Sequence, residues 1–101
     1  MTKADKGLIE LARQSLIDAF EESETDEPLF SEDSERVSGV FITLYQNDNL
    51  RGCKGCVEGD FPLRSTISKI ARSSAFDDLR FAPLTKDKLK GLEFLCACLE
   101  Q

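Results

Sequence analysis

The sequence predicts an α+β domain: an antiparallel or mixed sheet flanked by two amphipathic helices. Three observations carry this. Val40-Phe41-Ile42-Thr43-Leu44 is an apolar run rich in β-branched residues, too short and too dense for one face of a helix. Two other stretches, Leu8 to Phe20 and Leu63 to Ser74, place apolar residues at steps of three and four. Asn47-Asp48-Asn49 follows the apolar run with short polar residues that tolerate positive φ, which returns the chain as a hairpin.

Taken in order, Thr2 with Asp5 three residues on reads as a helix start, the hydroxyl accepting from an orphan amide and the carboxylate favoured by the dipole. That helix is expected to run to about Glu22, burying Leu8, Ala12, Leu16 and Ala19, with Ile9 and Phe20 widening the stripe. Residues 23–35 lack periodicity, contain Pro28 and are acidic, so they read as a solvated surface loop. Strands are expected near 37–46, 50–53 and 92–99, the first apolar on both faces and therefore interior. Asp60 offers an N-cap to a helix starting near Phe61 and Pro62, with Leu63, Ile67, Ile70, Ala71 and Ser74 inward and Arg64, Lys69 and Arg72 on an outer ridge. Asp77-Asp78-Leu79-Arg80-Phe81 suits a hydrogen-bonded loop tying that helix to the sheet. Thr85 can cap a short helix over Lys86 to Lys90 that Gly91 ends.

Composition narrows the function classes. At 101 residues, 41% hydrophobic and 32% charged, the chain has the make-up of one folded domain rather than a disordered tail. No apolar run approaches membrane-spanning length, and no basic-then-apolar leader opens the chain. The expected compartment is therefore intracellular: the cytoplasm, with the nucleus open to it in a eukaryotic host. The net charge of −6 is concentrated, because Glu21 to Glu35 holds eight carboxylates and no cation. From Arg36 onward ten Lys/Arg face eight Asp/Glu, which gives no nucleic-acid signature.

Leu50-Arg51-Gly52-Cys53-Lys54-Gly55-Cys56 concentrates the chemistry. Two glycines strip side chains from either side of Cys53, so the backbone can turn or another group can approach closely. In an extended strand Arg51 and Cys53 share a face, and a neighbouring guanidinium stabilises a thiolate. Cys53 is thus a candidate nucleophile, with Asp78 as a possible base or orienting group. With no histidine in the chain, a cysteine–histidine pair and histidine metal ligation are both excluded. Four cysteines could supply a tetrahedral zinc site, but strand phase puts Cys53 and Cys56 on opposite faces and groups Cys96 and Cys98 with Leu92 and Phe94 as core. The reading is therefore no metal and no cofactor. A thioredoxin-like role is weaker still, since Val57-Glu58-Gly59-Asp60 separates the motif from the next helix and disfavours a thiolate at Cys56.

The hexamer Leu-Arg-Gly-Cys-Lys-Gly resembles the Leu-Arg-Gly-Cys-Ile-Gly box of the AMMECR domain family. Gly39 to Leu44 upstream fits the same pattern, as do Pro62-Leu63, Ile67, Ala71, Ala75-Phe76, Asp78, Arg80-Phe81, Pro83-Leu84 and Leu89 downstream. The resemblance covers about Gly39 to Glu93, and is specific as a set. Lys54 departs from the family's isoleucine, and the chain stops where the family's domain continues. The resemblance implies a single AMMECR-like domain over 1–101, shortened at its C-terminus, with the α+β class and the box near a cleft. It also implies Memo-type and radical SAM proteins as partners, in an AmmeMemoRadiSam system. Carried over by position, the candidate catalytic residues are Cys53 and Arg51, and the candidate ligand-binding residues are Gly52, Gly55, Asp78 and Arg80. Two functions compete: an enzyme working in a cleft at the box, and a partner-binding or regulatory domain in which the box is structural. A C-terminal strand without the family's following segment is further expected to present a poorly protected edge.

Overall fold

The computed structural model describes residues 2–3, 6–21 and 35–100. Among these, the chain forms β1 (Thr2–Lys3), α1 (Lys6–Phe20), β2 (Arg36–Gln46), β3 (Asn49–Cys56), β4 (Phe61–Pro62), α2 (Leu63–Phe76), a 3₁₀ turn (Lys86–Gly91) and β5 (Leu92–Glu100). All strand pairings are antiparallel: the order is β1-β5-β2-β3, with β4 alongside the start of β2. The α+β prediction holds, with the sheet antiparallel rather than mixed.

The hairpin forms as its turn residues require. Asn47 and Asp48 take φ of 52° and 63°, the left-handed pair that matches the twist of a two-residue hairpin. Strand β3 runs on to Cys56, three residues past the expected end, because Gly55 and Cys56 continue the register against Phe41 and Val40.

Both helices lie on one face of the sheet. Val37, Val40, Ile42 and Leu44 are fully buried with Cys96 and Cys98 beneath Leu8, Leu11, Ala12 and Leu16 of α1 and Leu63, Ile67, Ala71 and Ala75 of α2. The α1 stripe is rotated from the expected one: Leu11 and Ser15 are buried, whereas Ala19 is only partly so. The reason is polar. Ser15 Oγ donates to Ser68 O at 3.1 Å, lies 2.7 Å from Ser68 Oγ, and accepts from Arg72 Nε at 3.1 Å. Arg72 therefore belongs to the joint between the helices, and not to an outer basic ridge.

Three expected caps are corrected, and one expected open edge is partly covered. Thr2 does not cap α1: it sits in β1 opposite Leu99, and Asp5 lies outside the described residues. Asp60 does not cap α2. Phe61 and Pro62 pair with Val37 and Arg36, the residue before the helix is Pro62, and Asp60 accepts instead from Arg36 Nε at 3.1 Å. The outer side of β5 is covered only at its end, where Thr2 and Lys3 pair with Leu99 and Cys98; among the described residues no strand pairs with 92–97 on that side. Thr85 precedes the 3₁₀ turn as expected, but its side chain caps no backbone group there. Its hydroxyl bonds Asp87 and holds that carboxyl below its ordinary range. The acidic stretch over 23–34 lies outside the described residues. Among the described residues no helix is long and apolar enough to cross a membrane.

Candidate functional site

The box occupies β3, an edge strand paired only with β2, and the loop after α2 runs along its outer side. Antiparallel pairing sets the phase. Cys56, Lys54 and Gly52 lie opposite Val40, Ile42 and Leu44 on the helix-covered face, while Gly55 and Cys53 lie opposite Phe41 and Thr43 on the other. Cys53 and Cys56 thus face away from each other, as strand phase predicts. Cys56 shares the covered face with Cys96 and Cys98, and the described residues hold no cluster of three acidic or thiol groups arranged for a metal.

Each residue of the box meets a specific neighbour. The C-terminal turn of α2 rests on Gly52 so closely that a Cβ there would run into the Ser74 carbonyl. Ser74 itself is fully buried, its Oγ 2.8 Å from Ile70 O of its own helix and 3.1 Å from Ile42 O of the sheet, so one hydroxyl proton is shared between helix and sheet. Gly55 is roofed by the Phe41 ring on the opposite face. The half-buried Cys53 Sγ lies 3.4 Å from Thr43 Oγ1. Lys54 is also half-buried, at the rim of the helix-covered face, where an aliphatic stem can pack in place of the family's isoleucine while the ammonium reaches water.

Asp78 ties the loop to the strand. Its carboxylate, 6% exposed, accepts from the Cys53 backbone N–H at 3.0 Å and from Arg80 through Nη2 at 2.7 Å, Nε at 3.0 Å and the backbone N–H at 3.1 Å. The Arg80 side chain holds the Asp78 carboxyl well below the usual carboxylate range; burial opposes this, and the Arg80 and Cys53 amides reinforce it. Leu84 N–H closes the loop by donating to Ala75 O at 2.9 Å, satisfying a carbonyl that the helix end leaves open.

Arg51 does not take the place beside Cys53 that strand phase suggests. Leu44 pairs with Gly52 but Tyr45 with Leu50, so Arg51 is the extra residue of a bulge. Its guanidinium donates to Ala82 O at 2.7 Å and stands 5.7 Å from the Phe81 ring centre. Arg80 stands 5.4 Å from the same ring. Arg80 is the arginine paired with Asp78, whose hydrogen bonds raise its pKa; burial opposes this and the Asp78 charge adds to it. The structure thus joins the Cys53 backbone and the Arg80 side chain through Asp78, and directs Arg51 to the loop backbone. The pairing of Arg80 with Asp78 follows from their spacing of two in a loop; its reach to Cys53 has no local signal.

The AMMECR1 family model matches residues 9–101. The chain belongs to the AMMECR1 family. Among its relatives, a protein of Saccharolobus islandicus is 37% identical over 90 residues, and one of Saccharolobus solfataricus is 35% identical over 94. Each match covers 84% of this chain and 40% of the relative. The crystal structure of an uncharacterised protein, PH0010 from Pyrococcus horikoshii, superposes with a TM-score of 0.74 at 26% identity, covering 92% of this chain and 49% of that one. This AMMECR1 chain therefore spans less than half the length of the relatives it matches.

Proposed function

We propose that this AMMECR1 chain is a partner-binding domain in which the box is a structural corner. The supporting observation is that the box's groups are engaged within the fold. Gly52 admits α2, Gly55 lies under Phe41, Arg51 is held by Ala82, and the Cys53 amide is held by Asp78. Two shallow grooves among the described residues lie elsewhere. One runs along α2 past Ser65, Lys69 and Asp77, and the other lies at the hairpin end past Tyr45, Asp48 and Glu93.

What the corner presents outward is the loop. Leu79 is 97% exposed between Asp78 and Arg80, and Phe81 is flanked by two guanidiniums. Arginine beside an aromatic ring, on a loop tied at Asp78 and Leu84, is the make-up of interface anchors, and Leu79 adds exposed apolar surface next to them. The partners proposed are the Memo-type and radical SAM proteins that the family resemblance implies. Titration of each purified partner against the chain tests this. Leu79→Ala should weaken binding about tenfold, whereas Cys53→Ser should leave it unchanged. Loss of binding in Cys53→Ser with the fold intact, or no binding to either partner, would contradict it.

The enzymatic alternative rests on the position of the Cys53 thiol, half-buried on the face away from the helices with Thr43 Oγ1 3.4 Å away. If the thiol is a working nucleophile, iodoacetamide at neutral pH should modify Cys53 before the other three cysteines, and labelling of Cys53 only on unfolding would remove it from that role.

A further inference from the structure

The loop after α2 continues into a run of cations. From Leu79 to Gly91 the chain carries Arg80, Lys86, Lys88 and Lys90 against a single carboxylate, Asp87. Arg51 joins them from β3 by donating to Ala82 O. The three lysines are exposed, and the Arg80 side chain is 58% exposed beside its buried partner Asp78. Two hydrogen bonds fix the course of this segment: Leu84 N–H donates to Ala75 O of α2, and Gln46 Nε2 at the hairpin end donates to Lys88 O at 2.8 Å. A basic strip is therefore held on a tied backbone, with Leu79 and the Phe81 ring at its start.

The strip is opposite in sign to the chain, whose net charge is −6. At about 0.1 M salt a charge is largely screened beyond about 10 Å, so a group docked at the strip meets the local cations rather than the total. This selects among anionic partners. A membrane surface or a nucleic-acid duplex extends its charge far past five cations and is repelled by the rest of an acidic chain. A compact acidic patch on a folded protein escapes that repulsion, and its apolar part has Leu79 and Phe81 to pack against.

Resting on the partner-binding reading, we infer that this strip selects the partner by charge: the surface docked on the loop is a carboxylate-rich protein patch. An apolar side chain of the partner covers Leu79 and Phe81, and its carboxylates face Arg80, Lys86, Lys88 and Lys90.

The Memo-type and radical SAM proteins, each titrated into the full chain at about 0.05 M and about 0.5 M salt, supply the test, and affinity should fall about tenfold at the higher salt. Lys86→Glu with Lys90→Glu should weaken binding about tenfold at low salt and little at high salt. The milder pair Lys86→Gln and Lys90→Gln should fall between that variant and wild type. Lys69→Glu, a charge reversal in the α2 groove outside the strip, should leave binding unchanged. Binding that is lost in Leu79→Ala yet indifferent to salt and to both lysine pairs would keep the docking loop and overturn the charge selection. Binding to neither protein would remove loop and strip together. Co-sedimentation of the chain with phosphatidylserine vesicles, or a dimer of the chain alone, abolished in either case by the Lys86 and Lys90 reversals, would assign the strip to a membrane or a second copy and overturn the inference as well.

Discussion

The two faces of β2 carry similar side chains and have different fates. On one, Val37, Val40, Ile42 and Leu44 are sealed beneath both helices; on the other, Phe41, Thr43 and Tyr45 remain partly open. The difference lies in what crosses above, not in hydrophobicity. It teaches that an apolar pattern states a demand for burial, whereas the described chain meets that demand on only one side.

Substitutions across the two faces should separate most widely in the core. Ile42→Ala removes a fully buried side chain and should cost about 2–5 kcal/mol in denaturant unfolding. Leu95→Ala on the open face should stay within about 0.5 kcal/mol. Equal costs would show that the open face is covered in the free chain.

The glycines sharpen the same comparison. A methyl at Gly52 meets a helix backbone carbonyl that cannot move without displacing α2, so Gly52→Ala should cost about 1–3 kcal/mol or more. At Gly55 the obstacle is the Phe41 ring on the open side, which can swing into solvent, so Gly55→Ala should cost less. Thermal unfolding of the pair checks the order.

How much of this was legible depended on range. The turn at Asn47-Asp48, the opposed phases of Cys53 and Cys56, and the inward face of α2 are consequences of period and local φ, so the sequence carried them. The demand for burial on both sides of β2 was legible too, but not which side is covered. Contacts set by packing were out of reach. Ser15 and Ser68 lie 53 positions apart, and neither neighbourhood marks them as a pair. Asp60 had an N-cap's composition but was drawn to Arg36. Arg51 had the right phase until a bulge, invisible in the pattern, redirected it to Ala82. Asp78 was recognisable as a loop anchor, while its acceptance of the Cys53 amide required the fold.

Acid unfolding gives a smaller effect on the loop side of the corner. Because Asp78 titrates below the ordinary range in the folded chain, the unfolded state takes up the proton first. Its contribution is fully present above the unfolded carboxylate value of about 4, and is lost as pH falls from there through the folded value. Asp78→Asn should be less stable than wild type at neutral pH and lose less on acidification. Parallel stability profiles for the two would remove the anchor from the account.

The most direct test of the structural corner is hydrogen exchange at the Cys53 amide. This N–H points away from β2 at the sheet edge, where it would exchange quickly if it faced only water. The account predicts that it is protected like the β2–β3 ladder amides, because Asp78 accepts from it at 3.0 Å, and that Asp78→Ala exposes it while the ladder stays protected. Rapid exchange at Cys53 in the unmodified chain would contradict the claim that the box is held as a corner by this loop.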